Sequence, residues 1–224
     1  MSEGKTAVVA CEVLRQELEA VIGNRDIALY LLDQGLHRRP KLMPDRIAEA
    51  IGRAEADGAA RLALGYGLCS NGLVGVRAGR PLVVPKCHDC IAMIVGSPVR
   101  YRQLFSRNPG TYYLSAGWLE VGKDPLTIME GEYAASVGRE DAEWVMKTEL
   151  VHYTHFCYLR NGLGADGKNK SRVMENCRAF GKEYRELDCS LDYFRQLVDG
   201  PHPANFFISL QEGVGVDESM FRGA

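Results

Sequence analysis

The sequence predicts an α/β protein of Rossmann-like architecture, with parallel sheets arranged in two lobes that share a cleft. Three observations carry that expectation. Short β-rich apolar runs of the kind buried on both faces alternate with segments whose apolar residues recur at helical spacing. The order through the first half is β-α-β-α-β-β-α, which is that of a doubly wound parallel sheet. Glycine and proline punctuate the joins between these runs.

Residues 6–11 (Thr-Ala-Val-Val-Ala-Cys) form the first strand, and residues 12–21 follow with Val13, Leu14, Leu18 and Val21 on one helical face. Residues 26–32 are the second strand, ending near Asp33-Gln34-Gly35-Leu36-His37. Pro44 suits the first turn of a helix running to about Ala56, whose apolar stripe is Ile47, Ala50, Ile51 and Ala54. Residues 61–66 are the third strand and feed the turn Gly67-Leu68-Cys69-Ser70-Asn71-Gly72. Residues 81–85 are the fourth, running into Lys86-Cys87-His88-Asp89-Cys90, then a helical segment over 91–95 and a helix opened by Ser97-Pro98. The second half predicts strands over 111–114, 152–159, 185–190 and 204–210. Helical stretches fall over 130–148 and 191–198, and a polar glycine-rich loop over 161–170 leads to a helix capped by Ser171. The first lobe is expected at 1–107 and the second at 108–224, hinged between Phe105 and Gly110, with a single extended sheet as the alternative.

Composition narrows the function classes. Hydrophobic residues are 46% of the 224 and charged residues 25%, enough for a core of normal size. The net charge of −2, with no face rich in Lys and Arg, argues against a nucleic-acid partner. Arg38-Arg39 and Lys168-Asn169-Lys170 read as solvated surface. No apolar run approaches the ~20 residues that span a bilayer, and the first residues lack the parts of a signal peptide, so the expectation is a cytoplasmic protein without a membrane partner. Seven cysteines in such a chain point to metal binding, redox chemistry or catalysis rather than disulfides.

Position sharpens that inference. In an open parallel sheet, ligands bind beyond the carboxyl ends of the strands. Cys11 follows the first strand, His37 the second, Cys69 the third, and Cys87-His88-Asp89-Cys90 the fourth. Cys11, His37, Cys69, His88 and Cys90 are therefore the expected metal ligands, any three or four of them together. Zn²⁺ is the leading ion, with Fe or an iron–sulfur cluster as alternatives. Glu12, Tyr66 and Asn71 are expected to line the cleft. Asp89 either orients an imidazole or caps the helix that starts at Ile91. Bland readings stand beside each of these: Cys11 as a small buried hydrophobe and His37 as a surface residue. A second class of mechanism makes Cys69 a metal-free nucleophile, its pKa lowered on a sharp turn at a helix N-terminus. In the second lobe His155 and Cys157 face the same way along a strand and would offer a further ligand pair, whereas Cys177 and Cys189 belong to the core. Gly162, Gly164 and Gly167 do not spell a dinucleotide fingerprint.

Five stretches in combination are distinctive: Cys11-Glu12-Val13-Leu14, Leu36-His37, Tyr66-Gly67-Leu68-Cys69-Ser70-Asn71-Gly72, His88-Asp89-Cys90-Ile91 and Pro109-Gly110-Thr111-Tyr112-Tyr113. The chain resembles, along most of its length, a bacterial and archaeal family of unknown function often encoded beside corrinoid-dependent methyltransferases. The resemblance implies a place in one-carbon metabolism, with a small-molecule substrate and a corrinoid protein or methyltransferase as partner. An enzyme of this kind would be a metal-dependent transferase or lyase. A non-catalytic protein that binds a corrinoid, an iron–sulfur cluster or a partner is the alternative.

Overall fold

A computed structural model describes residues 4–223. Its strands are β1 (Thr6–Cys11), β2 (Ile27–Leu32), β3 (Arg61–Gly65), β4 (Leu82–Pro85), β5 (Thr111–Ser115), β6 (His155–Arg160), β7 (Glu183–Asp188) and β8 (Phe207–Leu210). The helices of the first half are α1 (Arg15–Ile22), α2 (Met43–Ala56), α3 (Ile91–Val95) and α4 (Pro98–Arg107). Those of the second half are α5 (Ala116–Glu120), α6 (Pro125–Ile128), α7 (Ala134–Val137), α8 (Arg139–Glu149), α9 (Asp166–Phe180) and α10 (Asp192–Asp199).

The chain forms two units, residues 1–100 with 190–224, and residues 101–189. The expected boundary at 107/108 and the expected hinge thus lie within the second unit, and the strand expected at 204–210 belongs to the first sheet. The reason is an edge: β4 offers its free side to β8, which pairs with it antiparallel from Leu82↔Leu210 to Pro85↔Phe207.

The sheet of the first unit has the order β2-β1-β3-β4-β8, parallel through its first four strands. The apolar run of β1 explains its central place, since Ala7 through Cys11 are all at most 1% exposed. From β1 the chain moves through α1 to β2 on one side, then through α2 to β3 on the other. With right-handed crossovers this puts α1 and α2 on opposite faces and makes the gap between β1 and β3 the topological switch point. The alternation of α10 sets its apolar face, Tyr193, Phe194, Leu197 and Val198, against α1, α3 and β4.

The second unit holds a parallel sheet, β5-β6-β7. One of its faces packs Leu114, Phe156 and Tyr158 against Met146, Leu150 and Val173. A buried polar knot ties α6 to α9. The Asp124 carboxylate accepts from Asn176 Nδ2 at 2.7 Å and pairs with Arg172 at 3.2 Å, while Asn176 Oδ1 accepts from the Leu126 amide at 2.9 Å.

Two local expectations shift. Helix α9 begins at Asp166, five residues before Ser171, whose hydroxyl donates to the Gly167 carbonyl from inside the helix instead of capping it. Strand β6 begins at His155, because Lys182 holds the Leu150 and Tyr153 carbonyls at 2.9 and 2.7 Å and Tyr153 closes a turn onto Leu150. Among the described residues no helix is long and apolar enough to cross a membrane.

Removing the Asn176 side chain takes one donor from the buried Asp124 carboxylate and leaves the Leu126 amide without its acceptor. Asn176→Ala is expected to lower unfolding free energy by about 1–3 kcal/mol, read from the urea midpoint at constant slope.

Candidate functional site

The ends of β1 and β2 are tied by one hydrogen bond. The Glu12 carboxylate, immediately after Cys11, accepts from the Gln34 amide at 2.8 Å. Asp33 accepts from Gly35 N at 2.6 Å and starts the short 3₁₀ turn Gln34–Arg38 that carries His37. The loops after β3 and β4 are joined in the same way. Leu68 N donates to Cys87 O at 2.8 Å and Cys69 N to His88 O at 2.9 Å, extending the strand pairing into the loops.

That pairing demands a glycine. A Cβ on Gly67 would stand 2.8 Å from the Asp89 amide and 2.9 Å from both Asp89 Cα and the Cys87 carbonyl oxygen. Gly65 is constrained likewise, its Cβ position lying 2.5 Å from that of Ala10 on β1. Beyond this junction the chain makes a left-handed turn, with φ of 48°, 56° and 65° at Cys69, Ser70 and Asn71. It is closed by Gly72 N donating to Cys69 O at 3.0 Å. None of the three is glycine, and the left-handed conformation costs such residues roughly 1–2 kcal/mol each. Strain of this kind persists where surrounding contacts over-determine it, as the Cys69–His88 bond does here.

Cys11, Cys69 and Cys90 are 0, 5 and 3% exposed. Each lies within electrostatic reach of the other two, so ionising any one disfavours ionising the rest. Burial pushes the Cys11 and Cys69 thiols up to about 12 and holds Cys87 and Cys90 well above the ordinary range. Opposing this, hydrogen bonds from the backbone at Val13 and Glu12 favour the Cys11 thiolate, and one from Gly67 favours that of Cys69. The expectation of an activated Cys69 is therefore corrected. No helix follows it, and desolvation raises its pKa.

Tyr66 sits between Gly65 and Gly67 and is fully buried. Its phenol oxygen lies within electrostatic reach of Cys11, Cys69, Cys90 and Glu12, and has no hydrogen-bond partner among the described residues. The same holds for His37 Nε2, whose ring centroid is 6.4 Å from that of Tyr66, and for Gln34 Oε1. Burial lowers the pKa of His37.

The remaining expected residues fall elsewhere. His88 is exposed and lines a separate cavity of about 530 Å³ with Leu68, Asp217, Glu218, Ser219 and Arg222. Asn71 is exposed on the turn. Asp89 caps α3, accepting from Ile91 N at 3.0 Å and Ala92 N at 3.3 Å. In the second unit both ring nitrogens of His155 are engaged, by Thr111 at 2.7 Å and Thr154 at 2.8 Å. Gln34 was not singled out by its residue type; only its place beyond a strand end could have marked it. Among the described residues no group of three or more His, Cys, Asp or Glu side chains stands at a spacing that would hold a metal ion.

A family model described as a protein of unknown function (DUF1638) matches residues 31–198. The chain belongs to this family. The matched span takes in His37, Tyr66, Cys69 and Cys90 and begins after Cys11. No curated protein and no solved structure matches the chain.

Two consequences can be measured. A thiol whose folded pKa exceeds its unfolded value near 9 contributes stability that is complete below pH 9 and is lost as pH rises towards about 12. The urea midpoint of metal-free protein should be flat in this respect from pH 7 to 8 and fall above pH 9, by about 1.4 kcal/mol per pH unit for each such thiol. Cys11→Ser and Cys69→Ser should each shallow that fall. Ser70→Gly, which relieves one left-handed residue, should raise the melting temperature by an amount corresponding to roughly 1 kcal/mol.

Proposed function

We propose that Cys11, Cys69 and Cys90 are the protein ligands of a transition-metal centre, Zn²⁺ or Fe²⁺, at the switch point of the first sheet. The carrying observation is that three buried thiols from three separate strand ends lie within electrostatic reach of one another, two of them with backbone hydrogen bonds that favour the thiolate. Three sulfurs with one position left open is the arrangement of a catalytic site rather than a closed structural one. A bound divalent ion would supply the positive charge that lets these thiols ionise at neutral pH, and would lower the pKa of a molecule taking the open position. The sulfurs do not stand at ligand spacing among the described residues, so binding would require them to come closer together. Neutral His37 would be the base that takes up a proton at Nε2. A metal-free nucleophile fits less well, since a thiol held near 12 is almost wholly protonated at neutral pH.

The finer reading goes with this one. A metal-dependent transferase or lyase, working beside a corrinoid protein or methyltransferase in one-carbon metabolism, rests on the motif resemblance. A binder without turnover is its alternative, separated from it by assay of the metal-loaded protein.

Anaerobic titration with Co²⁺ tests the metal centre. The wild-type protein should take up about one ion per chain and develop a thiolate-to-cobalt absorption band. Cys11→Ser, Cys69→Ser and Cys90→Ser should each weaken uptake by about tenfold or more, while His88→Ala and Cys189→Ser leave it unchanged. Uptake that survives all three serine variants would falsify the assignment.

A further inference from the structure

We propose that the cavity beside His88 is a second ligand site, fitted to a zwitterion: a free α-amino acid with a bulky apolar side chain, its carboxylate on Arg222 and its ammonium on Glu218. The site lies wholly within the first unit and does not depend on the metal reading.

Two stretches of chain build the cavity. One is the loop pair after β3 and β4, locked where Leu68 N donates to Cys87 O and Cys69 N to His88 O. That pairing uses the His88 backbone and leaves its side chain exposed in the cavity wall. The other is the segment after β8. Gly75 N donates to Val216 O at 2.9 Å and Val216 N to Val76 O at 2.8 Å, which fixes the chain just before the short 3₁₀ turn Glu218–Phe221. Phe221, 1% exposed, anchors the far end of that turn. Main-chain pairing and burial thus hold both walls, and the space of about 530 Å³ is formed before any ligand arrives. It adjoins the loops that leave the carboxyl ends of β3 and β4, the edge at which open α/β sheets bind ligands.

Charge gives the ligand class. Asp217 spends one carboxylate oxygen on the turn itself, accepting from the Ser219 amide at 2.8 Å and from the Ser219 hydroxyl. The side chains of His88, Glu218 and Arg222 line the same space and make no hydrogen bond or close ion pair with the described residues. Arg222 lies within electrostatic reach of Asp217 without bonding to it. Elsewhere opposite charges three or four positions apart close on each other, as in Arg46–Glu49, Lys147–Glu143 and Arg195–Asp192. Glu218 and Arg222 are four apart and do not, because the backbone at Arg222 has left the turn for an extended conformation (φ −57°, ψ 127°). The cavity therefore presents one cation and one anion unjoined, with Leu68 and Phe221 as its apolar part. A guanidinium fork matches a carboxylate, and a carboxylate matches an ammonium. A simple amine or a simple anion would answer only one of the two charges, whereas an amino acid answers both and sets its side chain on the apolar part.

Three probes that share a phenyl ring separate the charges. Phenethylamine is L-phenylalanine without its carboxylate, and 3-phenylpropanoate is L-phenylalanine without its amine. In calorimetric titrations of the full chain at neutral pH, L-phenylalanine should bind saturably at about one per chain, and each analogue about tenfold more weakly. Arg222→Gln should bring L-phenylalanine down to the level of phenethylamine and leave phenethylamine itself unchanged. Glu218→Gln should bring it down to the level of 3-phenylpropanoate. Both residues are exposed, so both variants should melt at the wild-type temperature, and lost binding is then not lost folding. Absence of saturable L-phenylalanine binding, an analogue that binds as tightly, or binding indifferent to both substitutions would overturn the proposal. Uptake of Co²⁺ reads the metal centre separately, so either site can fail while the other stands.

Discussion

The close approach of β1 and β3 governs what this fold can do. At their carboxyl ends Gly65 lies against Ala10, with no room for a side chain on that stretch of β3. Strand order reverses direction at this gap, so the connections leave it on opposite faces, the place where ligands bind in open α/β sheets. Cys11 ends β1, Tyr66 follows β3 directly, and the paired loops after β3 and β4 carry Cys69 and Cys90 within electrostatic reach of Cys11. Were β3 to move away, the thiols would separate and the Tyr66 hydroxyl would reach solvent.

Burial and ionisation oppose each other at these cysteines. Sealing three thiols from water makes their charged forms unfavourable, and their proximity compounds the effect. Backbone hydrogen bonds at Cys11 and Cys69 work in the other direction without being strong enough to prevail. Thiols held in this way are almost wholly protonated at neutral pH and so are weak free nucleophiles. The left-handed turn at Cys69–Asn71 fits the same picture, since strained backbone is retained where its geometry serves a site.

Much of the first unit was legible because a doubly buried strand announces itself as an unbroken apolar run, and β1, β2 and β3 do so. Topology alone then put Cys11, Cys69 and Cys90 beyond the ends of successive strands, where the structure has them buried. His88, two places before Cys90, is instead exposed and lines a cavity with Asp217 and Arg222. Adjacency in sequence does not fix the side of a loop. The partition of the chain was illegible for a related reason. Nothing in the local pattern of Phe207–Leu210 says that its partner is β4, about 120 residues earlier, because strand pairing is decided by which edge remains open. In the second unit, Ser171 has the composition of a cap, but the start of α9 is set further back, near where Asp166 receives the Tyr158 hydroxyl at 2.9 Å.

The return of β8 to the first sheet bears on biosynthesis. A ribosome delivering this chain releases β1 through β4 well before the segment that completes their sheet, and the whole second unit is made in between. During that interval the outer side of β4 is an unpaired strand edge, open to other nascent chains. Pro85 at the end of β4, which has no amide hydrogen to offer, narrows that exposure. Gene fragments ending between residues 100 and 200 would therefore yield sticky intermediates, whereas residues 101–189 are contiguous and need nothing synthesised later.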